Sequence, residues 1–253
     1  MAVLNSKVAL VTGGGSGIGR ASALALAREG AIVVVADVNA RGGEETCSLI
    51  GSASGAASFI MTDVSVAPEV SAMIERIVER HGRLDCAFNN AGIMGAGFVS
   101  TADIDEADWD SVIRVNLKGI WLCMKYELPQ MVKQGGGAIV NTSSVAGLVG
   151  SRGGAAYVAS KHGVVGLTKA AALEYAQANI RVNAVCPGWT QTPLTEPYTR
   201  DNPERLAQMM ARQPGGRFCT PEEVAQAVVW LCSDAASFVN GHALPVDGGV
   251  VAQ

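Results

Sequence analysis

Tyr157 and Lys161 stand four residues apart in the run Tyr157-Val158-Ala159-Ser160-Lys161. Positions i and i+4 of a helix share a face, so an ammonium there can sit beside a phenol and favour its ionised form. A free tyrosine keeps its proton to about pH 10, too high for a base at neutrality, and a neighbouring cation brings it toward the working range. The pair is therefore a candidate proton-transfer site. Alone, it fits equally well an ordinary helix carrying one aromatic ring and one solvated lysine.

A second group of residues has the chemistry to hold a dinucleotide. Directly after an apolar run at 7–12 comes Thr12-Gly13-Gly14-Gly15-Ser16-Gly17-Ile18-Gly19. Glycines let such a loop turn tightly and approach a pyrophosphate, whose charge meets free N–H groups at the start of the next helix. Gly13, Ser16, Gly17, Ile18 and Gly19 are the candidate residues, and their place between strand and helix is the context that dinucleotide binding requires. Asp37 ends the next apolar run, 18 residues past Gly19. A carboxylate there can accept both hydroxyls of an adenosine ribose and repel a 2′-phosphate. No basic side chain stands at Ser16 or Val38 to offset that repulsion, so NAD is expected rather than NADP, with Arg41 the nearby cation that weakens the inference. Asp37 could instead cap the following helix.

The elements that must position these residues are legible as alternating segments. Apolar, β-branched runs recur at 7–12, 31–37, 57–63, 84–91, 138–144, 180–187 and 243–246, with helical stretches near 17–29, 39–50, 68–81, 106–133, 155–177 and 221–232. Strands that are apolar throughout suit a parallel sheet covered on both faces, and the β-α alternation predicts a doubly wound, seven-stranded α/β sheet of the Rossmann type. A single domain over residues 1–253 is expected, since α/β folds often reach about 250 residues as one unit. Residues 189–216 break the alternation with Pro193, Pro197, Pro203 and Pro214 around a short helical piece at 204–212, and are expected to form a substrate lid.

Composition excludes several classes. A net charge of -4 provides no basic field for a phosphate backbone, so nucleic acid is not an expected partner. The six cysteines lack a Cys-x-x-Cys spacing, and the three histidines lack metal-ligand spacing, so neither a disulfide framework nor a metal site is indicated. Asp103, Asp105, Glu106, Asp108 and Asp110 read as a solvated helix start rather than a metal cluster. No uninterrupted apolar run reaches 18 residues, and Met1 to Thr12 lacks the features of a secretion signal; a cytoplasmic location with no membrane partner is the expectation.

Together, Thr12–Gly19, Asn89-Asn90-Ala91-Gly92, Asn116, Ser144, Tyr157-x-x-x-Lys161 and Pro187-Gly188 resemble the short-chain dehydrogenase/reductase family along essentially the whole chain. The resemblance implies that Asn116, Ser144, Tyr157 and Lys161 are catalytic. It also implies that Asp63 and Val64 contact the adenine, that Asn90, Ala91 and Gly92 line the cofactor cleft, and that Pro187, Gly188, Thr190 and Thr192 hold the nicotinamide carboxamide. Lys161 would both acidify Tyr157 and grip the nicotinamide ribose, and Asn116 would mark a local helix distortion with a water relay to Lys161. Homotetramers built on the long helices are implied as well.

The expected chemistry is hydride exchange with NAD at a secondary alcohol or its ketone, with Tyr157 as general acid/base and Ser144 hydrogen-bonding the substrate oxygen. Walls drawn from Ile93, Met94, Val145, Gly147, Trp189, Leu194, Met209 and Met210 make the pocket largely hydrophobic, with Arg152 the one charged candidate near the catalytic segment. Two rival readings remain at this stage: a nucleotide-sugar epimerase or dehydratase, which shares Tyr-x-x-x-Lys but usually carries an added domain, and an NAD-binding scaffold or redox sensor without turnover.

Overall fold

The computed structural model describes every residue except Met1, Phe98, Thr199, Asp201, Asn202 and Gln253. Among the described residues seven strands form one sheet: β1 (Val8–Thr12), β2 (Ile32–Asp37), β3 (Ala56–Met61), β4 (Cys86–Asn89), β5 (Gly137–Thr142), β6 (Ile180–Pro187) and β7 (Ala243–Val246). Every pairing is parallel, in the order β3-β2-β1-β4-β5-β6-β7. Chain order reverses between β1 and β4, and it is beyond the carboxyl ends of strands at such a switch point that open α/β sheets bind ligands.

The helices are α1 (Gly17–Arg28), α2 (Ala40–Ser52), α3 (Ala67–His81), α4 (Glu106–Ile113), α5 (Gly119–Gln134), α6 (Ala155–Tyr175), α7 (Pro203–Ala211) and α8 (Pro221–Cys232). Residues of α3, α5 and α6 form the core layer on one face of the sheet, and those of α1 and α8 form the layer on the other. Successive strand residues serve opposite layers: Val8 and Leu10 pack into the first, Ala9 and Val11 into the second. That is why the strand runs are apolar throughout instead of alternating.

Two details matter for the site: a helix distortion at Asn116, where the resemblance implied one, and strand ends that differ from the sequence reading. The helix expected at 106–133 is interrupted by a π turn, Arg114–Lys118. The turn carries Asn116, which is fully buried. Its Oδ1 accepts from the Ile93 N–H at 2.8 Å and its Nδ2 donates to the Ile93 carbonyl at 2.9 Å. A side-chain amide that satisfies both backbone groups of a distant loop residue compensates for the distorted helix. The strands expected to reach 63, 91 and 144 stop at Met61, Asn89 and Thr142, because the chain beyond leaves the ladder to build loops. The N–H groups of Asn90 and Ala91 turn to Thr12 Oγ1 at 2.9 and 3.2 Å, tying two site loops together.

The segment 189–216 departs from the sheet as expected, with one bridge between Thr190 and Cys219 and the helix α7 within it; Thr199, Asp201 and Asn202 lie outside the described residues. No helix of the described residues is long and apolar enough to cross a membrane. At the return from this excursion, Thr220 caps α8 in a full capping box with Glu223, and Pro221 occupies the first turn. Thr220→Ala should cost about 1 kcal/mol, lowering the melting temperature by about 2–4 °C in a thermal denaturation scan.

Candidate active site

Lys161 lies one turn beyond Tyr157 on α6, with only 2% of its surface exposed. Its Nζ donates to the Thr142 carbonyl at the end of β5, at 2.8 Å, and stands 5.4 Å from the centroid of the Tyr157 ring. An ammonium has three protons, so two remain for other acceptors. Burial lowers the Lys161 pKa to about 8, with the Cys186 thiol opposing the shift. Tyr157 faces the cavity, yet the protein around its phenol is dense. Desolvation raises it to about 12, and only the nearby Ser144 hydroxyl pulls it down. Burial thus pushes the phenol up and the ammonium down, because in each case the charged form loses hydration.

Gly92 sits where these groups converge. A Cβ there would lie 3.2 Å from Asn116 Oδ1, a tight contact, and 3.7 Å from Lys161 Nζ, an ordinary one. Ser144 Oγ accepts from the Ala146 N–H at 3.2 Å and reaches the Pro187 carbonyl at 3.5 Å while facing the cavity, so it is both a backbone partner and a candidate donor.

The glycine loop fits a dinucleotide. A Cβ on Gly19 would fall 2.0 Å from the Gly13 carbonyl oxygen, so only glycine lets α1 begin this close to the loop. Ser16, in extended conformation before α1, makes no side-chain capping bond, and the helix presents its first N–H groups to the cavity. Asp37 Oδ2 accepts from the Gly15 N–H and Oδ1 from the Asn39 N–H, each at 2.8 Å, which fixes the carboxylate at the cavity wall. The cap of α2 is Asn39, not Asp37. Val38 also lines the cavity, and Arg41 does not.

One cavity of about 1050 Å³ gathers nearly all the sequence-derived candidates. It joins the glycine loop, Asp37, Asp63 and Val64 to Asn90–Gly92, Ser144, Tyr157, Lys161 and the stretch from Pro187 through Thr192. Met94, Val145, Trp189, Leu194 and Met209 form apolar wall, as expected. Gly19, Asn116, Gly147 and Met210 are not on the wall: the first three lie behind it, and Met209 is the member of the methionine pair that turns inward. The Thr190 hydroxyl donates to the Gly188 carbonyl at 3.0 Å, while that of Thr192 meets Thr195 Oγ1 at 3.3 Å. Thr12, Thr142 and Ser143 carry supporting roles that the sequence reading missed. Ser143 Oγ, for instance, donates to the Lys161 carbonyl at 2.8 Å. Hydroxyl residues at strand ends are common, and nothing local distinguishes these.

The family model described as "Enoyl-(Acyl carrier protein) reductase" matches residues 13–251. The chain belongs to the short-chain dehydrogenase/reductase family. It is accordingly an oxidoreductase that uses a nicotinamide dinucleotide. Similar members include "Cyclohexanol dehydrogenase" of Acinetobacter sp. (strain SE19), 46% identical over 96% of this chain and 94% of that one. Another is "Cis-4-hydroxycyclohexanecarboxylate dehydrogenase" of Sinomonas cyclohexanicum, 45% identical over 97% of each. Among solved structures, a putative NAD(P)-dependent gluconate 5-dehydrogenase from Beutenbergia cavernae with bound NADP superposes with a TM-score of 0.93, at 39% identity, covering 99% of this chain and 98% of that one.

Behind the site of this short-chain dehydrogenase/reductase runs a buried polar chain that the sequence did not announce. Asn89 Nδ2 donates to Glu127 Oε2 at 3.0 Å and to Asn141 Oδ1 at 3.1 Å, and Asn141 Nδ2 donates to Thr168 Oγ1 at 3.0 Å. Glu127, Asn89 and Asn141 are fully buried, and Glu127 Oε1 and Asn89 Oδ1 have no partner among the described residues. Desolvation raises the Glu127 carboxyl to about 8, against the Asn89 hydrogen bond. A carboxyl raised above its ordinary 4.5 favours the fold most below that pH, and the contribution is lost as the pH rises through about 8. Stability should therefore fall by a few kcal/mol, roughly, between those limits. In urea melts across a pH series, Glu127→Gln should flatten this decline; an equally steep decline in the variant would contradict it.

Proposed function

We propose that the protein is an NAD-dependent dehydrogenase of largely hydrophobic, alicyclic secondary alcohols, working in reverse as a ketoreductase, with Tyr157 as the general acid/base. The observation that carries this reading is a single cavity onto which the glycine loop, Asp37, Ser144, Tyr157 and Lys161 all open. A bound nicotinamide dinucleotide supplies the hydride acceptor for alcohol oxidation and the donor for carbonyl reduction.

In oxidation the Tyr157 hydroxyl oxygen, once ionised, takes the proton of the substrate hydroxyl; in reduction the phenol returns it to the ketone oxygen. Ser144 Oγ donates to the same oxygen and stabilises the charge that develops there. Lys161, anchored on Thr142, brings positive charge to the phenol and keeps two protons for the ribose of the dinucleotide. Asn116 holds the Ile93 backbone and so sets the loop that runs past Lys161. A phenol pushed up to about 12 stays protonated and available to give its proton in reduction, whereas oxidation must recruit the ionised form and so gains with rising pH.

Asp37 supports NAD, because its fixed carboxylate would oppose a 2′-phosphate and no basic side chain lines that part of the wall. The apolar wall and two relatives named for cyclohexane-ring alcohols support the alicyclic substrate. Exposed Trp121 on α5 and Leu173 on α6 support assembly into tetramers through these helices.

Cyclohexanol with NAD should yield NADH, followed by absorbance; an inert panel of alicyclic alcohols and ketones rejects the reading. Tyr157→Phe should lower kcat about 10²–10⁴-fold while NAD still binds. Asp37→Ser should erode the preference for NAD over NADP by about tenfold in kcat/KM, and an unchanged ratio would count against the role given to Asp37.

A further inference from the structure

The charged side chains on the cavity wall are segregated. Asp37 and Asp63 end or follow β2 and β3 on the glycine-loop side of the sheet, whereas Arg152, Lys161 and Arg212 belong, with Tyr157 and Leu194, to segments that follow β5 and β6. No aspartate or glutamate of the wall belongs to that second group. Lys161 is taken up by Thr142, so two cations remain. Arg152 comes from the loop before α6, and Arg212 follows the last turn of α7. Both are exposed, and among the described residues neither pairs with a carboxylate or donates a side-chain hydrogen bond. Arg212 also suits the negative end of the α7 dipole, but a guanidinium turned away from the cavity would serve that equally. In a protein of net charge -4, two guanidiniums on the cavity wall, paired with no carboxylate among the described residues, put positive charge beside its apolar residues. The planar, always-charged guanidinium matches a carboxylate in two-point fashion.

We propose that Arg152 and Arg212 form an anion subsite, and that the preferred substrate joins an apolar alicyclic body to a carboxylate remote from the reacting carbon. This rests on the reading of Tyr157 and the cavity given above. The apolar ring packs between Met94, Val145 and Leu194 while the carboxylate meets the guanidiniums at the rim.

The test compares kcat/KM for three probes with NAD: cis-4-hydroxycyclohexanecarboxylate, its methyl ester, and cyclohexanol. The carboxylate should exceed its ester by about tenfold or more, the value of a charge-assisted hydrogen bond. Added salt should shrink that margin, because the pairs are exposed. In Arg152→Gln and in Arg212→Gln the carboxylate-to-ester ratio should fall about tenfold, through KM rather than kcat, and Arg152→Lys should recover part of it. Three results overturn the subsite alone: cyclohexanol turnover without preference for the carboxylate, variants that keep the wild-type ratio, or variants whose loss appears in the KM for NAD. Failure to oxidise any of the three probes overturns the subsite together with the function on which it rests.

Discussion

A lysine ammonium removed from water has to be held by a fixed acceptor, and the carbonyl of Thr142 supplies one. That single contact joins α6 to the end of β5, and the geometry around it follows. Asn116 can reach the Ile93 backbone because the π turn between α4 and α5 turns it inward. Gly92 leaves room beside both groups, since a Cβ there would crowd Asn116 Oδ1 at 3.2 Å. Ser143 closes the arrangement from below by bonding the Lys161 carbonyl. Each element that carries a proposed site residue is thus braced against another element at the point where it meets the cavity.

Burial has opposite consequences for the two partners on α6. It lowers the lysine to about 8 and raises the tyrosine to about 12, because in each case the charged form loses its hydration. Under the proposed function, burial keeps the phenol protonated for reduction, while the positive charge of an oxidised nicotinamide would favour the phenolate that oxidation needs. The same low-dielectric surroundings reach further back, to Glu127, Asn89 and Asn141. There a polar chain links α5, β4, β5 and α6 behind the cavity, with Glu127 held largely neutral at physiological pH. Burying such groups is costly unless they are paired, so the chain makes the relative placement of those four elements specific.

Much of the scaffold was legible because the signals are local. Strand runs apolar on both faces can only be satisfied between two helical layers, and all seven were found within a few residues of their observed bounds. The last strands and α8 match to the residue, since Pro221 and the Thr220–Glu223 capping box punctuate the helix start. Errors cluster at the carboxyl ends of β3, β4 and β5. The residues just past these ends, Thr62-Asp63, Asn90-Ala91 and Ser143-Ser144, are mostly polar, and the backbone there leaves the ladder to form loops whose hydrogen bonds go elsewhere.

The sequence by itself determined the order of strands and helices, the glycine loop before α1, the acidic end of β2, and the spacing that puts Tyr157 and Lys161 on one helical face. These depend on residues near each other in the chain and on periodicities fixed by backbone geometry. Tertiary structure alone decided that Tyr157 is made less acidic, that Glu127 is a neutral buried acid, that Met209 and not Met210 faces the cavity, and that the acidic and basic side chains of its wall come from opposite halves of the sheet. Such properties arise from desolvation and from groups brought together across tens of residues, and neither leaves a trace in local spacing.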